Sequence, residues 1–269
     1  MSEAQSGADS HEHHHETGID TAAADETVAL TIFRYDPESD DEPYYEDFEV
    51  PIEDGTTVLD TLLHIRDHVD SSLSFRHSCR QGVCGSDAMF INGKQRLGCK
   101  TQISDLEPPV RIEPLPGQDV RKDLVVDMQD FYERMEAVEP EDQELEAPGG
   151  DTTYEDLEQR KQSPENREEI KLSTRCIQCG ACVSSCTIAK DPDQYLGPAA
   201  INKAYRFIFD EREPDELNDE RMELVEQSNG VWRCQTQFSC TEVCPKDIPL
   251  TEHIQRLKRE SVKRKLKFW

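Results

Sequence analysis

A chain of 269 residues has room for two modest domains, which is the starting expectation. It carries 57 Asp and Glu against 30 Lys and Arg, a net charge of -27, which repels phosphate backbones and excludes nucleic acid as a partner. Acid spread along the chain suits a salt-rich, halophilic cytoplasm, where screening weakens self-repulsion. No run reaches the roughly 18–20 apolar residues of a membrane span, and the polar start at Met1 is unlike a secretory leader, so a cytoplasmic protein is expected. Ten cysteines in that compartment point to metal binding, because reducing conditions disfavour disulfides.

Residues 1–26 are acidic and hold His11, His13, His14 and His15 without apolar neighbours, so a tail is the plain reading and a metal-holding tract the alternative. Alternation begins at Val28, Leu30 and Ile32 and returns at Phe48, Val50 and Ile52, which predicts two half-buried strands around an acidic loop from Asp36 to Asp47. Thr57 and Asp60 then form a capping box for a helix whose apolar positions are Val58, Leu62, Ile65 and Val69. Asn92-Gly93 marks a hairpin between Met89-Phe90-Ile91 and Leu97, and Val110-Arg111-Ile112 reads as a further strand. Residues 27–130 are thus expected to form a small α+β unit.

Residues 131–170 show almost no apolar periodicity and contain Glu146-Ala147-Pro148-Gly149-Gly150, the composition of an acidic connector. From 171 to 269 the pattern predicts a mostly α domain, with helices over Ala199 to Arg212, Arg221 to Glu226 and Thr251 to Lys265. The last nineteen residues hold seven Lys or Arg against two Glu. A basic helix ending in Phe268-Trp269 suits acidic lipid headgroups or a membrane subunit, and a solvated terminal helix is the alternative.

The cysteines fall into three groups. Cys79 and Cys84, with Asp87 and then Cys99, follow the plant-type 2Fe-2S spacing with a carboxylate at the third position. Asp87 either completes the ligand set, as a harder but competent iron ligand, or caps a turn while another group takes the site. Gly82 and Gly85 let that loop curl until its amides reach sulfur. Cys176, Cys179, Cys182 and Cys186 repeat the bacterial ferredoxin run, and Cys234, Cys240 and Cys244-Pro245 repeat it with Gln237 at the second position. In two-cluster proteins the fourth cysteine of each run serves the other cluster. That template gathers Cys176, Cys179, Cys182 and Cys244 around a 4Fe-4S cluster and leaves Cys186, Cys234 and Cys240 for a 3Fe-4S cluster, with Gln237 at its vacant corner. Structural zinc is the competing reading, but zinc sites close locally with four ligands, whereas these runs interlock across about fifty residues.

With those motifs stand Phe75-Arg76-His77-Ser78-Cys79, Ile91-Asn92-Gly93-Lys94, Pro114-Leu115-Pro116-Gly117, Asp123-Leu124-Val125-Val126-Asp127-Met128, Leu196-Gly197-Pro198-Ala199-Ala200 and Ala204-Tyr205-Arg206-Phe207. From about Val28 to Arg259 the chain resembles the iron-sulfur subunits of succinate dehydrogenase and fumarate reductase. The resemblance implies a β-grasp, plant-type ferredoxin domain followed by an all-α, bacterial-ferredoxin-like domain, a class of α+β fold. It implies a flavoprotein partner that holds FAD and the succinate or fumarate site, membrane anchor subunits, a quinone as acceptor, and a place on the inner face of the membrane. Electrons are then expected to pass from 2Fe-2S to 4Fe-4S to 3Fe-4S, and this chain binds neither succinate nor flavin.

Family members that reduce quinone commonly carry a Pro and a Trp pair after the cysteine matching Cys186, and a His after that matching Cys234. Here Cys186-Thr187-Ile188 and Cys234-Gln235 stand instead, and neither Gln235 nor Trp232, which reads as a packing residue, is assigned to quinone. A stand-alone multi-cluster carrier is the reading from another class, and it predicts a monomer.

Overall fold

The computed structural model describes residues 26–138, 162–190 and 195–267. The histidine tract, the central part of the expected connector and Phe268-Trp269 lie outside the described residues.

The first half is a mixed sheet with a helix on one face. Strands β1 (Glu26–Arg34), β2 (Tyr44–Ile52), β3 (Ala88–Ile91), β4 (Lys94–Leu97) and β5 (Val110–Glu113) lie in the order β2-β1-β5-β3-β4. The central pair, β1 and β5, is parallel, with Leu30 opposite Val110 and Ile32 opposite Ile112; the other neighbours are antiparallel. Val28, Leu30, Ile32, Phe48 and Val50 are the buried, alternating face of the first hairpin, as period-2 geometry requires. Its acidic loop is shorter than expected, because pairing extends back to Tyr44 and places Asp47 within β2, where it accepts a 2.7 Å hydrogen bond from Thr31 Oγ1 across the ladder.

Helix α1 (Val58–His68) starts on the expected capping box: the Asp60 N–H donates to Thr57 Oγ1 and the Thr57 N–H to Asp60 Oδ2. Val58, Leu62 and Ile65 pack into the sheet core, whereas Leu59 and Leu63 join a second core. Asn92 and Gly93 turn β3 into β4 with φ of 44° and 78°, the left-handed pair of a tight hairpin. Beyond the sheet, β6 (Val120–Lys122) and β7 (Val125–Val126) form a small ribbon. Its Asp123 accepts from Arg34 Nε and from the Ser74 N–H, fixing the segment that leads into the first cysteine loop.

The second half is helical: α3 (Pro164–Ile170), α4 (Ala181–Ser184), α5 (Gly197–Ile208), α6 (Asp215–Glu226), α7 (Ser239–Glu242) and α8 (Leu250–Lys267), preceded by α2 (Gln129–Glu136). Helices therefore stand at both ends of the stretch expected to be a connector. Phe131, Met135 and Val138 on and after α2 are buried, in one continuous core with Leu59, Leu97 and Met128 on the sheet side and Ile201, Tyr205 and Leu257 on the helical side. Helix α5 ends before the expected Arg212, since Asn166 Nδ2 donates to the Phe209 carbonyl at 2.6 Å and Asp210 accepts from the Arg212 N–H. Helix α6 begins earlier than expected, with Asp215 and Glu216 in a first turn where the helix dipole favours acid.

Candidate iron-sulfur sites

The first cysteine loop has no regular structure and is shaped by left-handed residues: Arg80, Gly82 and Gly85 have φ of 55°, 67° and 72°. That curl points three amides at one sulfur. Cys79 Sγ accepts the N–H of Gln81 at 3.4 Å, of Val83 at 3.3 Å and of Cys84 at 3.2 Å, and these bonds hold its pKa down at about 6. Cys99 arrives from the turn after β4, buried, and burial reinforced by the Asp87 carboxylate pushes its thiol up to about 12.

Asp87 is 2% exposed. One oxygen, Oδ2, accepts the Cys99 N–H at 2.5 Å, so it does brace the turn that carries Cys99. The other, Oδ1, is buried without a partner. A buried carboxylate oxygen left unbonded is costly unless a cation faces it, so this donor set fits an iron centre.

The other seven cysteines occupy two loops built to one plan. In Cys176 to Cys182 the left-handed residues are Gln178 and Gly180, at 54° and 80°; in Cys234 to Cys240 they are Thr236 and Phe238, at 60° and 64°. Each loop runs directly into a four-residue helix, α4 or α7. Gln237 thus stands at the loop position that Cys179 holds in the first copy.

Cys244 lies in the wall of one cavity with Cys176, Cys179 and Cys182. Cys186 lies in the wall of another with Cys234, Cys240 and Gln237. Each run therefore gives its final cysteine to the other run's cavity. Burial pushes Cys179 up to about 12 and raises Cys182, Cys186 and Cys240. Thiols so placed stay protonated on their own, and a bound metal cation would displace the proton to solvent and hold the thiolate. Among the described residues no three His, Cys, Asp or Glu side chains converge as a site for a single ion; the sulfurs surround a space instead of a point.

Several side chains around the second cavity carry no sequence signal. Tyr195, 1% exposed, lines it from just ahead of α5. Thr187 Oγ1 donates to Gln237 Oε1 at 2.9 Å. Thr251, at the first turn of α8, places Oγ1 3.5 Å from Cys240 Sγ. Trp232 is 43% exposed with the Lys265 ammonium over its ring, so it is not the packing residue expected from sequence. The first and second loops also touch: a Cβ on Gly85 would lie 2.8 Å from the Cys179 Cβ.

A sheet unit with one curled thiol loop, fused to a helical unit with two interlocked thiol sets, defines a multi-cluster iron-sulfur electron carrier. Residues 29–133 match the 2Fe-2S iron-sulfur cluster binding domain family, and residues 172–248 match the 4Fe-4S dicluster domain family. The fumarate reductase iron-sulfur subunit of Haemophilus influenzae is 39% identical over 239 residues, 87% of this chain and 93% of that protein. The succinate dehydrogenase iron-sulfur subunit of Coxiella burnetii is 39% identical over 87% of this chain and 96% of its own length. A chain of the Mycobacterium smegmatis Sdh1 complex in the apo form superposes with a TM-score of 0.75 at 25% identity, covering 89% of this chain and 97% of that one.

The chain belongs to the family of iron-sulfur subunits of succinate dehydrogenase and fumarate reductase. It is an electron-transfer subunit, and the family carries a 3Fe-4S cluster beside the 2Fe-2S and 4Fe-4S centres. No helix among the described residues is long and apolar enough to cross a membrane.

Proposed function

We propose that Cys79, Cys84, Asp87 and Cys99 hold the 2Fe-2S cluster, that Cys176, Cys179, Cys182 and Cys244 hold the 4Fe-4S cluster, and that Cys186, Cys234 and Cys240 hold the 3Fe-4S cluster, with Gln237 at the corner where a fourth thiolate is missing. The observation that carries this reading is the exchange of final cysteines: Cys244 sits with the first run and Cys186 with the second. Clusters so held take up and release one electron at a time. The chain supplies their spacing, their ligands and the amide donors that set their potentials.

In this reading residues 27–130 are a β-grasp, plant-type ferredoxin domain and residues 171–269 a bacterial-ferredoxin-like domain, joined through 131–170. The chain takes electrons from a flavoprotein subunit that oxidises succinate and delivers them to a membrane quinone through anchor subunits, as a peripheral subunit on the cytoplasmic face. The names of the relatives, which include both enzymes, support the assembly. Fewer thiolates leave less negative charge on the 3Fe-4S centre, which favours it as the exit.

The test is quantitative iron and sulfide analysis of the purified complex, with electron paramagnetic resonance at graded reduction. Three separate signals, including a three-iron signal in the oxidised state, and co-purifying flavin and anchor subunits are expected. A lone protein, or the absence of the three-iron signal, overturns the assignment.

A further inference from the structure

Beside the sulfur of Cys240 stands a pair of hydroxyls whose hydrogen bonds run in one direction. The Thr251 N–H donates to Thr241 Oγ1 at 3.0 Å. Thr241 Oγ1, having accepted, donates its own proton to Thr251 Oγ1 at 3.1 Å. Thr251 Oγ1 has then accepted one bond and still holds a proton, and the remaining neighbour within reach is Cys240 Sγ, at 3.5 Å. Thr251 is 1% exposed and Cys240 is 9% exposed, so water does not compete for that proton. A thiolate accepts and cannot donate, which fixes the sense of the last bond once Cys240 is metal-bound.

The geometry has a sequence cause. Thr241 is in the short helix α7, and Thr251 stands in the first turn of α8, which Leu250 opens after Cys244-Pro245 and Pro249. The chain between them reverses and brings the first turn of α8 back against α7, an arrangement held by the buried Ile248 and Leu250.

We propose that Thr251, oriented by Thr241, is a positioning residue that donates a hydrogen bond to the Cys240 sulfur and thereby raises the reduction potential of the centre held by Cys186, Cys234 and Cys240. A donor aimed at a ligand sulfur withdraws negative charge from it and stabilises the reduced form more than the oxidised one. Backbone amides serve the same purpose at Cys79 and, from Thr236, at Cys234, whereas at Cys240 two side chains do it, so the effect is open to substitution. This inference rests on the assignment of Cys240 to the three-iron site.

The experiment is potentiometric titration of the intact complex, followed by the three-iron paramagnetic signal, for the wild type, Thr251→Val, Thr251→Ser and Thr241→Val. Thr251→Val keeps the shape and removes the hydroxyl, and it is expected to change the oxidised-to-reduced ratio at a fixed potential by roughly threefold to tenfold toward oxidised, tenfold being about 59 mV for one electron. Thr251→Ser keeps the donor and should restore the wild-type ratio. Thr241→Val leaves the donor unoriented and should fall between them, and the 2Fe-2S potential should not move in any variant. Pulsed resonance in deuterated buffer reads the same bond directly: the amide of Thr236 at Cys234 gives an exchangeable coupling in every variant, and one further exchangeable coupling to the three-iron spin is expected in the wild type and lost in Thr251→Val. An intact signal with an unmoved potential in Thr251→Val, or a set of exchangeable couplings identical to the wild type's, overturns the proposal. A wild type without any three-iron signal overturns the underlying ligand assignment instead. Should Thr251→Val fail to assemble, the Thr241→Val potential and its proton coupling decide the question alone.

Discussion

Gly85 is where the first thiol loop meets the second, and its replacement by Ala measures how tightly the two are held. Its φ is +72°, and a Cβ there would lie 2.8 Å from the Cys179 Cβ, 2.8 Å from the Ile177 carbonyl oxygen and 3.1 Å from the Cys179 Cα. These are short, backbone-anchored atoms that cannot swing aside, so the loops themselves must separate. Gly93 is the matched control, with a φ of +78° and nothing within 4 Å of a built Cβ. Both substitutions bear the left-handed penalty of about 1–2 kcal/mol. Gly85→Ala alone adds the overpacking term, about 1–3 kcal/mol. For a chain of this size that difference places its melting temperature about 2–12 °C below that of Gly93→Ala. The assay is thermal melting of the cluster-loaded protein at one scan rate, followed by far-ultraviolet circular dichroism for the chain and visible absorbance for the clusters. The absorbance should be lost first in Gly85→Ala, because the displaced atoms belong to Cys179. Equal melting temperatures for the two variants would refute the idea that the loops are in hard contact.

The ligand assignments make further predictions. Asp87→Cys is expected to retain a 2Fe-2S resonance with its potential shifted downward, since a thiolate donates more charge than a carboxylate; an unchanged potential counts against Asp87 as a ligand. Gln237→Cys puts a thiol at the position equivalent to Cys179, and the expected outcome is replacement of the three-iron signal by a second four-iron signal, read by resonance and iron content. His253 is buried against the Tyr205 ring, with Nδ1 2.8 Å from Asn202 Oδ1, and burial, assisted by the Arg256 charge, lowers its pKa to about 4. The unfolded chain therefore binds a proton between about pH 6.5 and 4 that the folded chain does not. Stability should be lost as the pH is lowered across that window, at up to about 1.4 kcal/mol per unit. His253→Gln should flatten that part of a denaturation-against-pH curve, and a slope equal to the wild type's would show that His253 does not cause it.

Much of the fold was legible in local pattern. The alternation of Val28, Leu30 and Ile32, the capping box of Thr57 and Asp60 and the Asn92-Gly93 turn each depend on neighbours a few residues away, and each formed as expected. Helix α2 was hidden, because Phe131 and Met135 are its only buried apolar residues in a charged stretch and nothing nearby shows what they face. Their partners lie on α5 and across the sheet, so burial there was settled by contacts far along the chain.

The sites divide in the same way. Cysteine spacing determined on its own how many thiols each loop offers and where a carboxylate or an amide replaces one, because loop reach is a property of a few consecutive residues. Tertiary structure decided which thiols share a space, that Asp87 Oδ1 is left buried and unbonded, that Gly85 touches the Cys179 loop, and that two threonines ten residues apart line up on one sulfur. Each of these depends on separate segments docking against a common core, and the free energy of that docking resides in long-range apolar contacts that no local motif encodes.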